Sequence, residues 1–195
     1  MKRTVFFLSA MALGLLVSAS VSAQAKKAAA PAPAPKAITS LTGKIPSATL
    51  SVKLRAGETE VATGSLSNGS FTLALPATLK PGPDTFLDPI TSWAKGEEVK
   101  ISAPTAKFWR YMAPLQVYLG ETLLGSASYT DSGEEMETSL YLVYVDKDVT
   151  VKGSVEGCAY DLTLKKGWNK AYQKGSALNT TTEPKGLKWV FTVNN

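Results

Sequence analysis

Ala48-Thr49-Leu50-Ser51-Val52-Lys53-Leu54, followed by Ser67-Asn68-Gly69-Ser70-Phe71-Thr72-Leu73-Ala74-Leu75, is the stretch on which the fold turns. Apolar residues fall at every second position in both runs, the period of a strand with one buried and one wet face. Between them, Arg55-Ala56-Gly57-Glu58 supplies a turn and Glu60 to Ser67 a further run. Asn68-Gly69 tolerates positive φ at both positions, so the runs on either side predict a tight hairpin. Pro76 ends the ladder, because proline has no amide to donate.

The same period continues toward the C-terminus. Val99 to Ser102 reads as a strand, and Leu115, Val117 and Leu119 lead through Gly120-Glu121 into a returning strand from Thr122 to Tyr129. Leu140-Tyr141-Leu142-Val143-Tyr144-Val145 is apolar on both faces, which predicts a central strand. Asp146-Lys147-Asp148 turns the chain into Val149 to Val155. Tyr160, Leu162 and Leu164 then alternate, as do Leu187, Trp189, Phe191 and Val193. The prolines and glycine of Lys80 to Glu98 interrupt the pattern, and Asp88-Pro89 predicts the start of a brief helix that Gly96 stops. No stretch of a dozen residues keeps a helical period. The fold class is therefore all-β, an antiparallel β-sandwich built as two small Ig-like or transthyretin-like sandwiches or one elongated one. The expected division is an N-terminal module over 38–104 and a C-terminal β domain over 105–195.

Upstream of the strands lies an address. Residues 1–25 carry Lys2 and Arg3, an apolar run from Val5 to Val17, and small residues ending in Val21-Ser22-Ala23 or Ala23-Gln24-Ala25, the three parts of a cleavable signal peptide. Serines at 9, 18, 20 and 22 break the apolar run, which is short for a membrane span. Cleavage leaves no integral membrane segment, after Ala23 or after Ala25. Residues 26–37, Lys-Lys-Ala-Ala-Ala-Pro-Ala-Pro-Ala-Pro-Lys-Ala, form an extended Pro/Ala linker. It is either a stalk that lifts a body off a surface or a plain terminus left after export. The expected location is exported: periplasmic, envelope-associated or extracellular.

Composition narrows the chemistry. The 195-residue chain has no histidine and one cysteine. That removes Ser-His-Asp and Cys-His catalysis, imidazole metal sites, intrachain disulfides and zinc ribbons. Lys2 and Arg3 leave with the leader, which lowers the formal charge from +5 to +3. No basic block interleaved with aromatics remains, so a nucleic-acid partner is not expected.

Leu41-Thr42-Gly43-Lys44-Ile45, a strand, and Asn68-Gly69-Ser70-Phe71-Thr72-Leu73 beside a proline carry a resemblance. Residues 41–75 resemble the carboxypeptidase-regulatory or transthyretin-like β-sandwich module, and the resemblance implies a non-catalytic module. Tyr144 to Val149 and Leu164 to Asn169 are similar to segments of uncharacterised secreted bacterial envelope proteins, which bears on location.

Four side chains stand out as a ligand site. Trp168, Asn169 and Tyr172 lie beside Lys165-Lys166, and Trp109 joins them as a further ring that would stack on a sugar. The competing reading folds the Trp168 indole onto the core. Lys107 to Met112, the densest aromatic cluster, is either an exposed patch or the piece that docks the two halves. Asp146 and Asp148 are hard oxygen ligands in a turn and form the candidate calcium pair, although Lys147 stands between them and no EF-hand spacing surrounds them. Cys158 reads as a small buried hydrophobe, or as half of an intermolecular disulfide. Ser92-Trp93-Ala94-Lys95 has the letters of a Ser-Lys motif without its partner motifs. The residues thus predict no catalytic group and no cofactor. They predict a structural or interaction module of the envelope, whose partner is an envelope protein or cell-wall polysaccharide. A carbohydrate-binding module using exposed aromatics is the alternative, and a hydrolytic enzyme is the least supported.

Overall fold

The computed structural model describes residues 38, 40–44, 50–67, 70–94, 96, 98–131, 138–175 and 178–194. The signal peptide, the Pro/Ala linker, Lys95, and Asn68-Gly69 lie outside them. The described residues from position 38 onward belong to one compact unit, and it is all-β. Its first strands are β1 (Ser40–Lys44), β2 (Ser51–Ala56), β3 (Thr59–Ser67) and β4 (Ser70–Ala74). After the proline-rich stretch come β5 (Asp88–Pro89), a single 3-10 turn (Ile90–Ser92) and β6 (Lys100–Ile101). Then follow β7 (Lys107–Tyr111), β8 (Leu115–Leu119), β9 (Thr122–Thr130) and β10 (Thr138–Val145). The chain ends with β11 (Val149–Val155), β12 (Cys158–Leu164), β13 (Gly167–Lys174), β14 (Leu178–Thr180) and β15 (Lys188–Val193).

These strands join into one continuous sheet. Its first part runs β1-β4-β3-β2-β8-β9, with β15 along the far side of β9. Its second part runs β10-β13-β14-β12-β11-β6, with β7 on the other side of β10 and β5 beyond β7. The pairing is antiparallel apart from β12 with β14. A single pair, Ser139 with Thr130, joins β10 to β9. The hairpin read around residues 68–69 is present in its flanks, since Leu66 pairs with Phe71 and Ser67 with Ser70.

Strand β10 explains why the sheet holds together. Tyr141, Val143 and Val145 point to one side and Leu142 and Tyr144 to the other, and all five are buried. The odd-numbered face meets Phe108, Val151, Leu162 and Leu164 in one core. The even-numbered face meets Trp109, Trp168 and the β1–β4 residues Leu41, Leu54 and Leu73 in another. β7 divides its aromatics in the same way, with Phe108 in the second core and Trp109 and Tyr111 in the first. The aromatic cluster at Lys107 to Met112 is therefore a paired strand that serves both cores.

The first part of the sheet nearly closes on itself through a side chain. Trp189 of β15 donates its indole N–H to the Thr42 carbonyl of β1 at 3.0 Å. Its ring meets Phe71 of β4 edge-on at 4.9 Å. β15 reaches β9 by close approach at Gly125, where any Cβ would overlap the carbonyl oxygen of Thr192. No helix among the described residues is long and apolar enough to cross a membrane.

Candidate functional site

Strands β9 and β10 meet where β9 ends and β10 begins, and splay from there. Beyond the Ser139–Thr130 pair, β10 leaves β9 and takes β7 as its neighbour from Leu142–Tyr111 onward. β9 instead takes β8 from Ala127–Leu115 onward. The short link from β7 to β8, Met112-Ala113-Pro114, sits in the wedge between them. Pro114 has no amide to join a ladder, and the Tyr111 hydroxyl braces the link by donating to the Pro114 carbonyl at 2.9 Å.

The wedge holds a cavity of about 390 Å³. Leu41, Leu115, Leu140, Leu142 and Ala127 make its apolar floor, and Ser126, Ser128, Ser139 and Thr192 bring hydroxyls. Trp189 and Tyr129, cross-strand partners with ring centroids 5.3 Å apart, form one wall. Met112, half exposed, stands at the rim. Among the described residues, none that lines it carries a carboxylate, an amine or a guanidinium.

Every tyrosine hydroxyl at the wedge is tethered to the protein. Tyr141 donates to Asn179 Oδ1 at 2.7 Å, and Tyr129 donates to Glu183 Oε1 at 2.7 Å. Burial pushes the Tyr111 and Tyr141 phenols up, and the hydrogen bond to Glu183 pushes Tyr129 up, so all three stay protonated donors at neutral pH. Glu183 also accepts from Tyr172 at 2.8 Å. It thus clamps the segment after β14 to both β9 and β13. A second cleft of similar size lies beyond this clamp, beside Tyr172, Lys174, Leu178 and Pro184. Its two carboxylates are already engaged, Glu183 by the tyrosines and Asp161 by Lys152.

The residues expected from the sequence to bind ligand sit elsewhere. Trp168 is 2% exposed, Tyr172 1%, Asn169 3% and Trp109 9%, so none offers a ring face or amide to a sugar. Trp168 meets Trp109 and Tyr144 edge-on at 5.9 and 5.5 Å and donates its N–H to the Pro76 carbonyl at 2.9 Å. Asn169 organises the β12–β13 turn, accepting from the Lys165 amide at 2.8 Å and donating to its carbonyl at 2.7 Å. The expectation of exposed aromatics here is corrected: β13 is paired with β10 and β14 and buries residues on both of its faces. The wedge is instead walled by Trp189 and Tyr129, with Tyr111 and Tyr141 also in its lining, and Tyr172 borders the second cleft.

The calcium pair is likewise committed to protein donors. Asp146 Oδ1 accepts the Lys107 amide at 2.8 Å. Asp148 accepts Lys165 Nζ and the Lys166 amide, each at 2.8 Å. Among the described residues no group of three or more acidic, histidine or cysteine side chains is placed to hold a metal ion. The Lys165 ammonium and the Lys166 amide hold the Asp148 carboxyl below its ordinary 3.8. A depressed carboxyl contributes stability above its unfolded pKa and loses it as pH falls through the folded one. Stability of the native chain is therefore expected to fall as pH drops below about 3.8, and Asp148→Asn to flatten that part of the acid limb in a urea-melt series. Cys158 is partly buried and its sulfur accepts from Asn179 Nδ2 at 3.0 Å.

The wedge was missed in the sequence because its residues come from six strands and none is reactive. One trace was there: the small hydroxyls Ser126 and Ser128 alternate along β9, where bulk would otherwise pack. Comparison with family models, curated proteins and solved structures finds no match for the chain.

Proposed function

We propose that the protein is a non-catalytic, exported module of the cell envelope that works by contact, and that the wedge between β9 and β10 is its contact site. The observation that carries this reading is the lining: an apolar floor with a hydroxyl rim and, among the described residues, no charged group. Such a surface suits an uncharged group of a partner, whereas acid–base work asks for a group that titrates near neutral pH, and the wedge tyrosines are all held protonated. The signal peptide and the Pro/Ala linker supply the export and the reach.

Met112 gives the test, because it is 50% exposed and a change there leaves the core intact. The chain is expected to co-sediment with isolated cell envelopes, and Met112→Asp, which puts a charge at the rim, to weaken retention about tenfold or more. No retention of the native chain, or equal retention of the variant, contradicts the proposal. The Trp189–Tyr129 wall favours a second reading, in which the occupant is a neutral sugar of the cell wall. Protein-free polysaccharide sacculi in a parallel arm separate the two: retention there assigns the sugar, and retention only on protein-bearing envelopes assigns a protein.

A further inference from the structure

Arg110 takes no part in the wedge. It lies on β7 opposite Val143 of β10, and so on the strand face that carries Phe108, but unlike buried Phe108 it is exposed. Its Cζ is 5.3 Å from the ring centroid of Trp93 and 6.0 Å from that of Tyr141. This platform is itself fixed. Trp93 stacks on Phe108 at 5.0 Å and 11° and meets Tyr141 edge-on at 5.8 Å. Tyr141 is tied in turn to Asn179.

Among the described residues no carboxylate forms an ion pair with Arg110. Its charge is nonetheless felt inside. Burial raises the phenols of Tyr141 and Tyr160, and the Arg110 charge acts against that rise in both. Tyr160 belongs to β12, separated from β7 along the sheet by β10, β13 and β14, and packs against the same second core, whose mouth is the exposed rim at Arg110.

We propose that this mouth is a carboxylate site. A guanidinium seated over aromatic rings presents its fork of N–H donors beside them, and a carboxylate meets that fork with two parallel hydrogen bonds. The half-buried Trp93 ring lies beside the fork and takes the apolar or aromatic body that bears the carboxylate. Inorganic phosphate can meet the same fork but brings no apolar body for the Trp93 ring, so the site selects organic acids, a peptide C-terminus with an apolar last residue among them.

Tryptophan fluorescence of the full chain, titrated separately with benzoate and inorganic phosphate, is the test. Benzoate is expected to give a saturable change and to bind about tenfold more tightly than phosphate. Trp93→Phe removes the optical change, which places it. Arg110→Gln is expected to weaken benzoate about tenfold or more without altering the melting temperature, because Arg110 is exposed, and Arg110→Lys to fall between. No saturable response of the native chain, an unaltered affinity in Arg110→Gln, or phosphate equal to benzoate overturns the proposal.

Discussion

Replacing Trp168 with alanine is expected to destabilise the protein by about 3–5 kcal/mol. For a chain of this size that lowers the melting temperature by roughly 10 °C, read by circular dichroism. Three losses combine. The indole leaves a void among Trp109, Tyr144 and the β1–β4 residues of the first core. Its two edge-on aromatic contacts disappear. The indole N–H bond to the part-buried Pro76 carbonyl is also lost, a hydrogen bond worth about 1 kcal/mol. A melting temperature unchanged by the substitution, together with a lost ligand, would instead make Trp168 a binding residue.

Gly125→Ala is expected to have the second-largest effect. Glycine is required at this position by space, since a Cβ there meets the Thr192 carbonyl, which is backbone and cannot rotate aside. The alanine must push β15 away from β9, at about 3 kcal/mol or more. The consequence is local before it is global. β15 carries Trp189, whose N–H bond to Thr42 and contact with Phe71 hold the two ends of the first sheet together. Hydrogen exchange of the Lys188–Val193 amides should therefore rise well before the rest of the sheet opens. Unchanged exchange in β15 would show that the strand sits farther from β9 than the close approach implies.

Much of the fold was legible because alternation is a local property. The runs at Leu50–Leu54, Leu115–Leu119, Leu140–Val145 and Leu162–Leu164 alternate or are apolar throughout, and each falls within or alongside a strand. β7 and β13 were not legible. Lys-Phe-Trp-Arg-Tyr and Gly-Trp-Asn-Lys-Ala-Tyr-Gln-Lys serve two cores or bury both faces, so their apolar residues have no period of two. Asn169 in particular reads as a loop residue, yet its amide is consumed by the backbone of the turn before it. The predicted helix after Pro89 shrank to one 3-10 turn, without a side-chain cap and with Ile90 alone buried.

The candidate site was less legible for a different reason. Ser128, Ser139, Tyr129 and Met112 carry no chemistry singly, and only the splaying of β9 from β10 brings them round one cavity. Trp168 and Trp109 drew attention as rings, but a ring binds only if a face remains uncovered, and coverage is set by strand pairing far away in the chain. β10 decides that coverage for Trp168 through the Tyr144–Trp168 pair.

The contact role of the wedge is tested most directly by hydrogen–deuterium exchange of the native chain, free and bound to isolated cell envelopes. Protection on binding is expected in the segments that line the cavity, residues 111–115, 126–130 and 139–142. Slower exchange confined to those segments, and absent in Met112→Asp, is the predicted result. Retention of the chain with no protection there, or with protection only elsewhere on the sheet, would contradict it.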